Sequence, residues 1–99
     1  MITVSASEIN ETTKLKLAII VKRKEVLRVE KEIQELKEWR IVIKVELERA
    51  KIEENSQQIV RITEVLEENK YEIRRKREER VGILRSIQKR LLRLLEFNP

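Results

Sequence analysis

From Leu15 onward, apolar residues recur in alternating steps of three and four. The row is Leu15, Ile19, Lys22, Val26, Val29, Ile33, Leu36, Arg40, Ile43, Leu47 and Ala50, and only Lys22 and Arg40 break it. Residues so spaced share one side of an α-helix and form a coiled-coil-like seam. The flanks of this seam are sorted by charge. One carries Lys16, Arg23, Lys37, Lys44 and Lys51, with Glu30 as the exception. The other carries Glu25, Glu32, Glu46 and Glu53, interrupted by Ala18 and Trp39. A start signal precedes the row: Ser5 can cap, Glu8 stands three residues later, and Val4 and Ile9 have the spacing of a hydrophobic staple. The residues before it, "MITV", read as an extended lead-in. The pattern predicts a first helix over about 6–54.

The row then fails. Its next positions are Glu54, Gln57 and Arg61, while a new phase opens with Ile59, Ile62 and Leu66. The break falls across "EENSQQ", where Asn55 tolerates a left-handed helix end and Asn55 or Ser56 can cap a second helix. A turn at about 55–56 and a second helix over about 56–97 follow, giving one all-α antiparallel hairpin domain over 1–99. The alternative is an unbroken rod forming a parallel dimeric coiled coil. Charge favours the hairpin. Folding at 55–56 lays glutamate-rich 30–38 beside 73–81, "IRRKREERV", and sets Trp39 against Tyr71 and Glu72. In the second helix the row continues to Asn69 and Ile73, then slips by an extra four to Arg77, Arg80, Leu84, Ile87, Leu91 and Leu94. Such a stutter unwinds a coiled coil locally. With Gly82 just beyond it, a bend near 76–83 is expected.

Two helices need one apolar seam each, and this chain has more. Leu17, Ile20, Val21, Leu27, Ile41, Val42, Val45 and Ile52 lie outside the first seam. Val60, Val65, Val81, Ile83, Leu92 and Leu95 lie outside the second. Monomers rarely tolerate so much exposed aliphatic surface. A twofold dimer forming a four-helix bundle would cover it, as would a higher oligomer or another protein. Trp39, Tyr71, Ile20, Leu27, Ile41, Val45, Leu92 and Leu95 are the candidate interface residues. At the level of plan the chain resembles the Rop-type helical hairpins, which pair into antiparallel four-helix bundles and serve as small adaptors. Small proteins of hyperthermophilic archaeal viruses include bundles of this kind. The resemblance covers the hairpin plan, and no residue role carries over from it.

Composition narrows the chemistry. There is one Gly and one Pro, so sheet-rich folds with many tight turns are disfavoured. The chain lacks Cys, His and Asp, which excludes disulfides, Cys/His zinc sites and catalytic groups built on His or Cys. The longest apolar run, "LAIIV", is too short to span a bilayer, and the first ten residues do not read as a secretory signal. A soluble cytoplasmic protein is the expectation. Abundant Lys, Glu, Arg and Ile resembles hyperthermophile usage.

Charge raises one further function. Residues 1–55 hold twelve basic and eleven acidic residues, whereas 56–99 hold eleven and seven. Lys70, Arg74, Arg75, Lys76, Arg77, Arg80, Arg85, Lys89, Arg90 and Arg93 could follow a phosphate backbone. Equally, they could pair with the acidic arm, and Tyr71 is the one aromatic near enough to stack on a base. Residues 83–97 form a basic amphipathic stretch suited to core, to an anionic membrane or to a partner's groove. Arg40 and Lys22 in the first seam fit register control, or an anion pocket whose residue types are similar to those of all-helical chorismate mutase-type enzymes. The reading favoured is a non-enzymatic adaptor or assembly protein: a homo-oligomer that binds another protein, with no catalytic residue, cofactor or metal. A nucleic-acid-binding protein comes second and a charged-pocket enzyme third.

Overall fold

A computed structural model describes residues 5–97. The chain is a hairpin of two long helices, α1 (Ala6–Ile52) and α2 (Ser56–Phe97). Val4, and with it the staple, lies outside the described residues. Ser5 caps α1 as its position predicts: the Glu8 backbone N–H donates to Ser5 Oγ at 3.2 Å, and the Ile9 N–H to the Ser5 carbonyl at 3.1 Å.

The turn comes earlier than expected, over 53–55 rather than 55–56, and α1 ends at Ile52 rather than near 54. The Asn55 N–H donates to the Ala50 carbonyl at 3.0 Å and the Glu54 N–H to the Lys51 carbonyl at 3.1 Å, the two bonds of a Schellman motif. The left-handed residue of that motif is Glu54, with φ 54°, and not Asn55. A side chain there costs about 1 kcal/mol against Gly. The carbonyls that the motif satisfies offset that cost. Asn55 instead caps α2, accepting the Gln58 N–H on its Oδ1 at 3.2 Å.

Because the turn spans 53–55, the arms align differently from the expected register. A fold at 55–56 would set Arg40 against Tyr71. Arg40 instead meets Asn69, and Glu32 meets Lys76 rather than Glu79.

Every member of the predicted α1 row from Leu15 to Ala50 is buried or half-buried. In α2 the stutter is absent. Ile59, Ile62, Leu66, Asn69, Ile73, Lys76, Arg80, Ile83, Ile87, Arg90, Leu94 and Phe97 are all buried or half-buried, and they keep the three–four rhythm without a slip. Arg77, Leu84 and Leu91, which a slip would turn inward, are exposed, while Ile83 is core rather than surplus. The rhythm holds because Lys76, Arg80 and Arg90 occupy seam positions, their alkyl stems half-buried among the apolar rows. Gly82 sits in unbroken helix, and an added Cβ would meet nothing within 4 Å.

The chain divides into two compact units. One, near the turn, comprises 29–79. Its core is Val29, Ile33, Ile43 and Ala50 from α1 with Leu66, Asn69 and Ile73 from α2. The other joins the remaining parts of the two helices, with Ile19, Val26, Ile83 and Ile87 as its core.

Candidate interaction surface

The apolar residues of α1 point in two opposite directions. One set is the seam. The other is a second row at the same three–four spacing: Leu17, Ile20, Lys24, Leu27, Lys31, Gln34, Glu38, Ile41, Val45, Glu48 and Ile52. On a helix turning 100° per residue, this row lies opposite the seam. Its aliphatic members are open to solvent, from Ile20 at 49% exposed to Leu27 at 66% and Ile52 at 82%. Val21 and Val42, beside the row, are also exposed. Apolar patches thus lie at both ends of the face, with Lys31, Gln34 and Glu38 between them. In the turn-proximal unit the patch forms an open groove of about 570 Å³ floored by Ile41, Val45 and Ile52, with Lys44, Glu48, Arg49 and Glu53 at its rim.

The remaining interface candidates, Trp39, Tyr71, Leu92 and Leu95, are exposed as well. They lie off this row. Of the fourteen aliphatic residues of α2, seven lie in the seam; the other seven, Val60, Val65, Val81, Leu84, Leu91, Leu92 and Leu95, are exposed but interspersed with charged residues.

The ten cations singled out on α2 meet several fates. Lys76 turns inward, its ammonium 2.7 Å from Glu32 Oε2 and 3.6 Å from Glu79. Arg80 and Arg90 are half-buried at the seam, and Arg90 donates to the carbonyl and hydroxyl oxygens of Ser86. Arg93 binds Glu11 across the hairpin at 3.0 Å, pairs with Glu96, and lies 5.3 Å from the centre of the Phe97 ring. Lys70 and Arg75 pair with Glu67 and Glu72 one turn away, at 3.2 and 2.8 Å. Arg74, Arg77, Arg85 and Lys89 are exposed. Pairs on exposed helix surface contribute little, about 0.2–0.5 kcal/mol each.

Glu11 and Glu32 belong to one row on the acidic flank of α1, three heptads apart, and each reaches a cation of α2. The flank's charge sorting is thus used across the hairpin at these two places. The Lys76 ammonium is raised above its ordinary 10.5. The first cause is its hydrogen bond to Glu32. Burial lowers it, and the charges of Glu32 and Glu79 raise it again. Folding therefore favours protonated Lys76, and this contribution is whole below 10.5 and lost as pH climbs through the raised value. The stability gap between the natural chain and Glu32→Gln should accordingly be present at neutral pH and close above 10.5. Melting followed by circular dichroism across that range checks this; a gap constant with pH would refute a charge origin.

Two cations interrupt the α1 seam. Lys22 is half-buried and 3.4 Å from Glu25. Arg40 donates from Nε to Asn69 Oδ1 at 3.3 Å, and Asn69 donates to the Leu36 carbonyl at 2.9 Å. Arg40 is thus engaged by an amide of the opposite arm. Asn69, 4% exposed, is the one buried polar residue among the described residues. The apolar rhythm places Asn69 in the row but does not by itself assign it a role.

Among the described residues, no cluster of three or more acidic side chains could hold a metal ion, and no helix is long and apolar enough to cross a membrane. No protein family, curated protein or solved structure matches the chain.

Proposed function

We propose that this chain is a non-enzymatic interaction protein that works as a homodimer, joined through the outer face of α1 and offering its charged faces to a further macromolecule. The observation that carries the reading is the exposure of eight aliphatic side chains on that one face. Covering the exposed half of each yields about 1 kcal/mol. Two copies together would gain about 16 kcal/mol, against about 4–15 kcal/mol for lost freedom on association. The balance favours pairing. Lys, Glu and Arg elsewhere on both helices would keep the assembly in solution and supply polar contacts to a partner.

Sedimentation over a range of concentrations tests the reading. The natural chain should have the mass of two copies. Ile41→Lys combined with Val45→Glu should have the mass of one, with its helix content intact because both side chains are outside the core. A natural chain of single mass at every concentration would refute the proposal. Exposed Arg74, Arg77, Arg85 and Lys89 are what favours nucleic acid as the macromolecule. Salt-dependent retention of duplex DNA, abolished when these four become Gln, would put that reading first.

A further inference from the structure

We infer that two copies join α1 to α1 antiparallel in one register, with residue 20 of each chain opposite residue 52 of the other. This rests on the homodimer proposed above and specifies its interface. The argument is the order of residues along the outer row of α1. In an antiparallel pairing each row position meets one position of the second copy. With Ile20 against Ile52, Leu17 alone of the row's aliphatic residues lies past the end of the partner's α1, and the next pairs are Lys24 with Glu48, Leu27 with Val45, Lys31 with Ile41, and Gln34 with Glu38.

Twofold symmetry repeats each pair, so apolar meets apolar in four layers and opposite charges meet in two. Only Lys31 faces an aliphatic residue, and its stem can lie along Ile41 while the ammonium reaches water. Competing arrangements do worse. A parallel in-register pair would set Lys24 on Lys24, Lys31 on Lys31, Glu38 on Glu38 and Glu48 on Glu48. Like charges directly opposed disfavour it. An antiparallel pair slipped by seven residues one way sets Leu27 on Glu38 and Lys24 on Ile41. Slipped the other way, it leaves Ile20 and Lys24 beyond the partner helix. Charge complementarity and apolar matching therefore agree on one register.

The position of the row adds a consequence. Because it lies opposite the seam, each α1 would have its own α2 on one side and the partner's α1 on the other. A square bundle, with each helix touching two neighbours at right angles, would need apolar residues on the seam's flanks, and there the residues are mostly charged. This pairing replaces the bundle that the surplus of aliphatic residues first suggests.

The chain has no cysteine, so introduced thiols report without interference. Leu27→Cys and Val45→Cys should each stay uncrosslinked alone under mild oxidation, since identical positions would be about 27 Å apart along the axis. An equimolar mixture should give a disulfide-linked dimer. Lys24→Glu should raise the dimer dissociation constant about tenfold by creating two repulsive contacts, and adding Glu48→Lys should restore it. Crosslinking of Leu27→Cys to itself would mean parallel helices and would overturn the inference. A natural chain that is dimeric by sedimentation, with no crosslink in the mixture and no rescue by the double charge change, would overturn it too, while leaving the homodimer standing. A natural chain monomeric throughout would remove both.

Discussion

Ile83→Ala is expected to lower stability by about 2–4 kcal/mol, whereas Leu84→Ala, one residue on, changes it by less than about 1 kcal/mol. Ile83 is 8% exposed and belongs to the core of its unit, while Leu84 is 39% exposed. Truncating a buried isoleucine loses its transfer energy and leaves a void that a hairpin only two helices thick can partly close, hence the lower part of the usual range. Ala also has a higher helix propensity than Leu, which offsets part of the small loss at 84. Guanidinium denaturation at fixed protein concentration separates the two; the concentration must be fixed because an associating chain gains stability by mass action. A larger cost at Leu84 than at Ile83 would mean that the row slips in the second helix after all, and the uninterrupted seam would have to be abandoned.

That pair of residues marks where sequence reading and structure part. The first helix was legible because nine of its eleven seam positions are apolar, so phase could be followed from Leu15 to Ala50 across the single interruptions at Lys22 and Arg40. The break at the turn was legible for the converse reason: apolar residues stop arriving on schedule at Glu54 and Gln57. In the second helix the seam includes Lys76, Arg80 and Arg90, and a rule that follows apolar residues jumps to Leu84 and Leu91 instead. What holds Lys76 at the seam is Glu32, a residue of the other arm, and a single-helix pattern cannot contain that information. The left-handed residue was misplaced on similar grounds. Local preference points to Asn55, but Asn55 is needed as the cap of α2, and the Schellman bonds put Glu54 in the unfavourable conformation. The outer face of α1 was visible as a surplus of aliphatic residues. Its unity as a second three–four row emerges once the seam direction is fixed by burial.

Replacing Arg40 and Asn69 together by Leu should stabilise the chain by about 1–4 kcal/mol, although each replacement alone should not. The two side chains form a polar bridge inside an aliphatic seam. Asn69 is buried and uses both ends of its amide, accepting from Arg40 and donating to the Leu36 carbonyl. Arg40→Leu alone leaves the Asn69 oxygen buried without a donor, a loss of about 1–3 kcal/mol. Asn69→Leu alone should cost less, because half-buried Arg40 can turn its guanidinium toward water. The double change removes both polar groups from the aliphatic core of the turn-proximal unit, so the two effects should be strongly non-additive in a double-mutant cycle. What the bridge supplies is specificity within the alignment that the turn sets: Arg40 finds Asn69 in one local packing of the seam, whereas leucines at both positions can pack in several. The double variant should therefore melt higher yet show broadened or duplicated backbone resonances for residues near the turn. If it melts lower than the natural chain, the bridge contributes net stability and the case for it as a device of packing specificity fails.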